Sequence, residues 1–432
     1  LTFTGAHAIA HGDVLATLKE LPDNEFDAAF CDPPYGFRFM GKKWDYSVPS
    51  VEVWRELLRV LKPGAPLLSF GGSRTYHRIA IGIEDAGFEL RDSLMWLYGK
   101  GFPKSLNVGK ALASQWMGVV PPLAQQWDGF GTALKPAFEP IVLARKPMDG
   151  TVAENVTRWG TGALAIDACR IDAGARPLIA SKAEQSVNAF GNGLNGSRAA
   201  GSTDEGRWPA NLILDEHAGE ILDASVAPTK SVPFGKGKDR DQDNVAHGAV
   251  LPMTKRTAGG YADAGGPSRF FYCAKVSTKE REHGCAALPA KSAGEATERN
   301  DACSECGGSG EWITGDGGFG VGQPGPHGHT AICPSCNGTG RAAGLDNPRA
   351  GAGRTGGARN HHPTLKPLSL NRWLATLIKP PTENATLLIP YSGAGSEIIG
   401  ALQAGWPFVF GIEGEAEYIA IAEARIEAWR KG

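Results

Sequence analysis

Both ends of this chain of 432 residues carry short apolar runs that stop at Pro or Gly, separated by stretches with apolar residues at helical spacing. Residues 26–31 predict a buried strand. Residues 51–61 place Val53, Trp54, Leu57, Leu58 and Leu61 on one helical face, and Lys62-Pro63-Gly64 stops them. A strand at 67–70 runs into Gly71-Gly72, and a helix at 76–86 ends at Gly87. The same grammar resumes near the C-terminal end. It predicts a helix at 367–378, a strand at 387–389, a helix at 397–404, a strand at 408–412 and a last helix at 415–430. That last helix has Ile419, Ala422, Ile426 and Trp429 on one face. Strands alternating with helices predict an α/β fold with a mostly parallel sheet. Residues 1–150 and 361–432 are expected to be the two halves of that sheet, and residues 151–360 an insertion.

The insertion differs in composition. Gly, Asn, Asp and Ser crowd 186–206 and 235–266, which read as loops, and two apolar islands stand out at 208–214 and 269–275. The chain carries 58 Gly in all. Its net charge of -2 argues against a globally basic nucleic-acid binder but leaves room for a locally positive cleft. The absence of a long apolar stretch or charged leader gives the expectation of a soluble, cytoplasmic protein without membrane attachment.

Two motifs carry chemistry. Asp32-Pro33-Pro34-Tyr35 closes the first predicted strand. An exocyclic amine on a base is a poor nucleophile, because its lone pair is conjugated into the ring. Two acceptors on the amine hydrogens can turn that lone pair outward. The Asp32 carboxylate is one, and the Pro33 carbonyl is the other. Pro33 and Pro34 have fixed φ and set the carbonyl in place at little entropic cost. Tyr35 offers a flat face for a base. The alternative is a strand ending in a proline turn with an incidental acid.

The second motif is Pro390-Tyr391-Ser392-Gly393-Ala394-Gly395-Ser396, placed between a predicted strand and helix. Glycines there let backbone approach a ligand at an electropositive helix N-terminus. Glu413 ends the next predicted strand, about twenty residues on, where a ribose diol would be held. Asp13 is a candidate for the adenine side of such a cofactor, with a helix cap as the equal alternative.

Motif order and content resemble the β group of amino-directed DNA methyltransferases, which modify adenine N6 or cytosine N4. The Asp-Pro-Pro-Tyr site precedes the glycine turn, and a long variable segment separates the two. His362-Pro363-Thr364-Leu365-Lys366-Pro367 matches the family segment that lines the methionine pocket, which adds Thr364 and Lys366 to the cofactor candidates. Tyr272, Lys275 and Arg281 match a further stretch. The resemblance covers about 5–100 and 360–430. It implies a Rossmann-like sheet that binds S-adenosylmethionine, double-stranded DNA as partner, and methyl transfer without a covalent enzyme intermediate. Asp at the first motif position implies adenine N6, while cytosine N4 remains the near alternative. RNA or protein methylation and a non-catalytic DNA-binding protein are further alternatives. A homodimer and a partner nuclease are compatible with the family, and the sequence decides neither. One departure stands out: the family carries Asp where this chain has Ile389. Glu397, just after the turn, is a candidate substitute.

Cys303-x-x-Cys306 and Cys333-x-x-Cys336 each continue as x-Gly-x-Gly, so two knuckles supply four thiolates for one tetrahedral Zn²⁺. The pattern resembles the knuckles of J-domain chaperones. All four ligands come from protein, so the zinc at about 300–342 is expected to be structural. His327 and His329 are weaker candidates.

Overall fold

The computed structural model describes residues 6–37, 42–101, 105–114, 122–173, 176–180, 198–230, 264–275, 277, 279–291, 311–314, 329–332, 358–362 and 364–431. Its centre is a nine-stranded sheet. In chain order the strands are β1 (His7–His11), β2 (Ala28–Cys31), β3 (Pro66–Phe70), β4 (Glu89–Leu97), β5 (Phe138–Arg145), β6 (Leu212–Asp215) and β7 (Tyr272–Ala274). A hairpin, β8 (Glu311–Thr314) and β9 (His329–Ile332), stands apart, and β10 (Thr386–Pro390) and β11 (Phe408–Glu413) complete the sheet. The spatial order is β1-β11-β10-β2-β3-β5-β4-β6-β7. Only β5 runs against its neighbours, β3 and β4.

The two chain ends meet in the middle of this sheet. β10 pairs in parallel with β2, Leu387 opposite Ala28 and Leu388 opposite Ala29. Asp27, just before β2, fastens the seam. Its buried carboxylate accepts from the Thr386 amide at 2.8 Å, the Thr386 hydroxyl at 3.0 Å and Lys62 Nζ at 2.6 Å. A charge so far from water is tolerable because an ammonium and two further donors match it.

Helices cover both faces. α1 (Val14–Glu20), α2 (Val51–Val60) and α3 (Tyr76–Asp85) put Leu18, Trp54, Leu57, Ile79 and Ile83 into one core layer. α4 (Val152–Trp159) opens with a capping box, Thr151 and Glu154 satisfying each other's backbone amides. α5 (Leu368–Leu377), α6 (Ser396–Gln403) and α7 (Ala416–Lys431) fill the other layer with Trp373, Leu374, Ile398, Ala422 and Ile426.

The apolar islands of the insertion give β6 and β7, and it is their place in the main sheet, beyond β4, that local pattern does not reveal. The last helix buries Arg425 among its apolar residues, while Ile419 is only half-buried. Residues 235–263 of one loop-rich stretch and 186–197 of the other lie outside the described residues, as do Cys303, Cys306, Cys333, Cys336 and His327. Among the described residues no helix is long and apolar enough to cross a membrane.

Candidate active site

Parallel neighbours end on the same side of a sheet, so β2 and β10 deliver their following loops side by side, where open α/β sheets bind ligands. Asp32-Pro33-Pro34-Tyr35 leaves β2, and the glycine turn leaves β10. The Asp-Pro-Pro-Tyr loop is held by groups the motif does not include. Asp45 Oδ1 accepts from the backbone amides of Tyr35 at 2.8 Å and Gly36 at 2.9 Å, and Thr75 Oγ1 donates to the Tyr35 carbonyl at 2.7 Å.

Four side chains form a network over this loop. Lys366 Nζ lies 2.6 Å from Asp32 Oδ2 and 3.2 Å from Glu139 Oε2. The Tyr35 hydroxyl is 2.7 Å from Asp32 Oδ1 and 3.0 Å from Glu139 Oε2. Lys366 is nearly enclosed, with its ammonium 4.7 Å from the Phe70 ring centre and 5.4 Å from that of Tyr35. The two carboxylates outweigh the burial penalty on the ammonium and hold its pKa above the ordinary lysine value. Burial and the same carboxylates push the Tyr35 phenol well up, so it stays a hydrogen-bond donor. Cys31, fully buried, has its thiol pushed up to about 12 by burial, so it is no nucleophile at neutral pH.

The glycine turn has the backbone its sequence calls for. Tyr391, Gly393 and Gly395 all take positive φ, at 61°, 49° and 76°. A Cβ on Gly393 would stand 2.7 Å from His362 Nε2, and one on Gly395 would stand 3.0 Å from the Ala422 Cβ. α6 begins at Ser396, so its N-terminus faces the turn. Glu413 Oε2 accepts from the Gly393 amide at 2.7 Å and Oε1 from the Glu415 amide at 2.9 Å, which leaves each oxygen a further lone pair. Arg425, missed by pattern reasoning because it interrupts an apolar face, donates to the Ala394 carbonyl and to Ser396 Oγ at 3.0 Å. It braces the turn from behind.

His362 packs between Trp44, stacked at 6.4 Å, and Tyr418, edge-on at 4.5 Å. Burial lowers its pKa to about 4, so the ring is neutral. Thr364 is exposed, and its carbonyl meets His362 Nδ1 at 2.7 Å. Asp13 caps α1, its Oδ1 accepting from the Ala16 amide at 3.0 Å. Ile389 is fully buried in the core. Glu397 is buried behind the turn, accepts from Asn371 Nδ2 at 3.1 Å, and has its pKa raised to about 7 by burial and by the charge of Asp32.

The residues present suit a nucleoside cofactor. Three consecutive features admit close approach: the positive-φ turn, the α6 N-terminus and the acid at the end of β11. The buried Ser392 Oγ at the centre of the turn has no hydrogen-bond partner. Among the described residues no cluster of three metal-ligating side chains occurs.

Fold and site together give a mostly parallel α/β sheet that carries the Asp-Pro-Pro-Tyr loop and the glycine turn on adjacent strands. That arrangement agrees with the motif order for which the chain resembles the β-group amino DNA methyltransferases. The type II methyltransferase M.HindIII of Haemophilus influenzae is 32% identical over 117 residues, 26% of this chain and 37% of that protein. The match thus spans little more than a third of the relative's length. No family model matches the chain. Solved structures that align with it include M1.HpyAVI (TM-score 0.37, 11% identity, 97% of this chain and 98% of that one). The cytosine-N4-specific PvuII DNA methyltransferase aligns with TM-score 0.37 and 11% identity over 99% of this chain and 91% of its own. Overlays this loose decide nothing about chemistry.

Proposed function

We propose that the chain is an S-adenosylmethionine-dependent DNA methyltransferase acting on adenine N6. The carrying observation is the placement of Asp32 and the glycine turn at the ends of adjacent parallel strands, with Lys366 reaching Asp32 from the segment before α5. The M.HindIII match supports the methyltransferase part of this reading and is silent on the base.

The cofactor, when bound, supplies an electrophilic methyl group on a sulfonium. Glu413 would take the ribose, and Gly393 to Ser396 would let the rest lie close against backbone. Residues 151–360 are proposed as the target-recognition region. The target adenine would leave the duplex, at a cost of roughly a few kcal/mol. Asp32 and the Pro33 carbonyl accept the two amine hydrogens and aim the nitrogen lone pair, and the Tyr35 ring backs the base. As the N–C bond forms, the S–C bond breaks and the nitrogen sheds one proton, which Asp32 is placed to receive. Asp at position 32 favours adenine over cytosine in this family. Incubation with double-stranded DNA and tritiated cofactor, followed by digestion to nucleosides, tests the reading. Label in 6-methyladenine is expected, and label in 4-methylcytosine would overturn the base assignment.

A structural zinc on Cys303, Cys306, Cys333 and Cys336 belongs to the same proposal. β8 and β9 are antiparallel, with Glu311 opposite Ile332. The chain therefore enters β8 at the end where it leaves β9, and one Cys-x-x-Cys motif adjoins in sequence each of those termini. Metal analysis should find one zinc per chain, and none in Cys303→Ser/Cys333→Ser.

A further inference from the structure

Both oxygens of Asp32 are already engaged. Oδ1 accepts from the Tyr35 hydroxyl at 2.7 Å and Oδ2 from Lys366 Nζ at 2.6 Å. Each oxygen keeps a second lone pair, but a carboxylate whose charge is drawn to a buried ammonium at 2.6 Å holds an amine less strongly. The second carboxylate, Glu139, comes from β5, a strand that carries neither motif. Its Oε2 lies within reach of the same two donors, 3.0 Å from the Tyr35 hydroxyl and 3.2 Å from Lys366 Nζ. Glu139 therefore duplicates the partners of Asp32 from one side. The Lys366 ammonium has three hydrogens to share, and the Tyr35 hydroxyl has one that can swing.

We propose that Glu139 is a positioning residue that takes over Lys366 and Tyr35 when the target base arrives, so that Asp32 is released to the amino group. The inference rests on the methyltransferase reading. Its chemistry is an exchange of acceptors: two hydrogen bonds move from Asp32 to Glu139, one amine hydrogen takes their place on Asp32, and the other goes to the Pro33 carbonyl. No covalent bond changes, and the charge of the cluster is conserved. Without the Glu139 charge, Lys366 stays on Asp32 and the amine competes with a buried ammonium. Burial strengthens that competition, because charge-assisted hydrogen bonds gain in a low-dielectric site. Loop geometry would be little affected, since Asp45 and Thr75 hold the backbone independently.

Four proteins test this: wild type, Glu139→Gln, Lys366→Met and the double variant. Methyl transfer to DNA is followed with tritiated cofactor, and thermal unfolding is recorded for all four. Glu139→Gln should lower kcat by roughly 10- to 100-fold, while KM for DNA and the cofactor Kd stay within about two-fold. In the Lys366→Met background the same change should cost little, because there is no ammonium left to divert. The unfolding midpoints of the two single variants should likewise be non-additive. Wild-type kcat in Glu139→Gln, or losses that simply multiply in the double variant, would overturn the proposal. So would additive midpoints, which need no activity to read. Coupled midpoints with no transfer by wild type would instead overturn the methyltransferase reading on which the role depends.

Discussion

Replacing Glu397 with Gln should stabilise the protein above neutral pH and leave it unchanged in acid. Glu397 is 5% exposed, accepts a hydrogen bond from Asn371 Nδ2, and faces the charge of Asp32. Burial and that charge raise its pKa from 4.5 to about 7, with Lys366 pulling the other way. In the unfolded chain it ionises near the lower value. Between these two pH values the folded state holds a proton that the unfolded state has lost, so stability falls as pH rises through the window. At about 1.4 kcal/mol per tenfold change in proton affinity, the loss at full ionisation is on the order of a few kcal/mol. Gln mimics the neutral carboxyl. Its amide keeps an acceptor for Asn371 Nδ2 and adds a donor for Asn371 Oδ1, which is buried without a partner. The unfolding midpoint of Glu397→Gln should therefore equal that of wild type near pH 4.5, rise above it through pH 7, and level off several degrees higher at pH 8. A gap that is constant with pH, or that widens toward acid, would refute the reasoning.

Gly395→Ala forces an L-residue to φ 76° and sets a methyl 3.0 Å from the Ala422 Cβ. It should cost about 1–3 kcal/mol of stability and weaken S-adenosylmethionine binding about ten-fold or more, read by thermal unfolding and calorimetry. His362 behaves oppositely to Glu397. Its folded pKa is lowered to about 4, so the unfolded state takes up the extra proton and stability falls as pH drops from 6.5 toward 4. His362→Gln should flatten that acid limb of the unfolding midpoint. Tyr35→Phe keeps the ring and removes the hydroxyl shared by Asp32 and Glu139. It should lower kcat more than it weakens DNA binding, a split visible in single-turnover against gel-shift measurements.

Much of the frame is legible from local pattern. The strands before Asp32 and Pro390 are continuous apolar runs, and a run of that kind has few alternatives to a strand buried on both faces. The helices at 51–60 and 368–377 show their periodicity and their stops. β4 is harder to read, since it buries only Leu94 and Trp96 within a largely exposed strand. β7 is the edge strand and β6 lies beside it, and at three and four residues their signal is short.

At the site the two motifs announce themselves, because Asp-Pro-Pro-Tyr and the glycine turn are contiguous. Asp45, Glu139 and Arg425 do not. Each acts through contacts made by the fold: Asp45 through backbone amides about ten residues back, Glu139 across 104 positions to Tyr35, and Arg425 across 31 to Ala394. Glu139 and Arg425 have a faint signal in sequence. Glu139 opens a largely apolar strand and Arg425 interrupts the apolar face of α7, and a charge so placed needs a partner. Lys366 is legible as a member of the family segment, yet only the fold turns it toward Asp32.

The account stands on Asp32 receiving the amine beside a cofactor held by the neighbouring loop. Single-turnover transfer of tritium from S-adenosylmethionine to double-stranded DNA, compared between wild type and Asp32→Ala with cofactor affinity measured on both, tests it most directly. The expected result is labelled DNA from wild type and none from the variant, with the cofactor bound comparably by each. Unlabelled DNA from wild type, or undiminished transfer by Asp32→Ala, would contradict it.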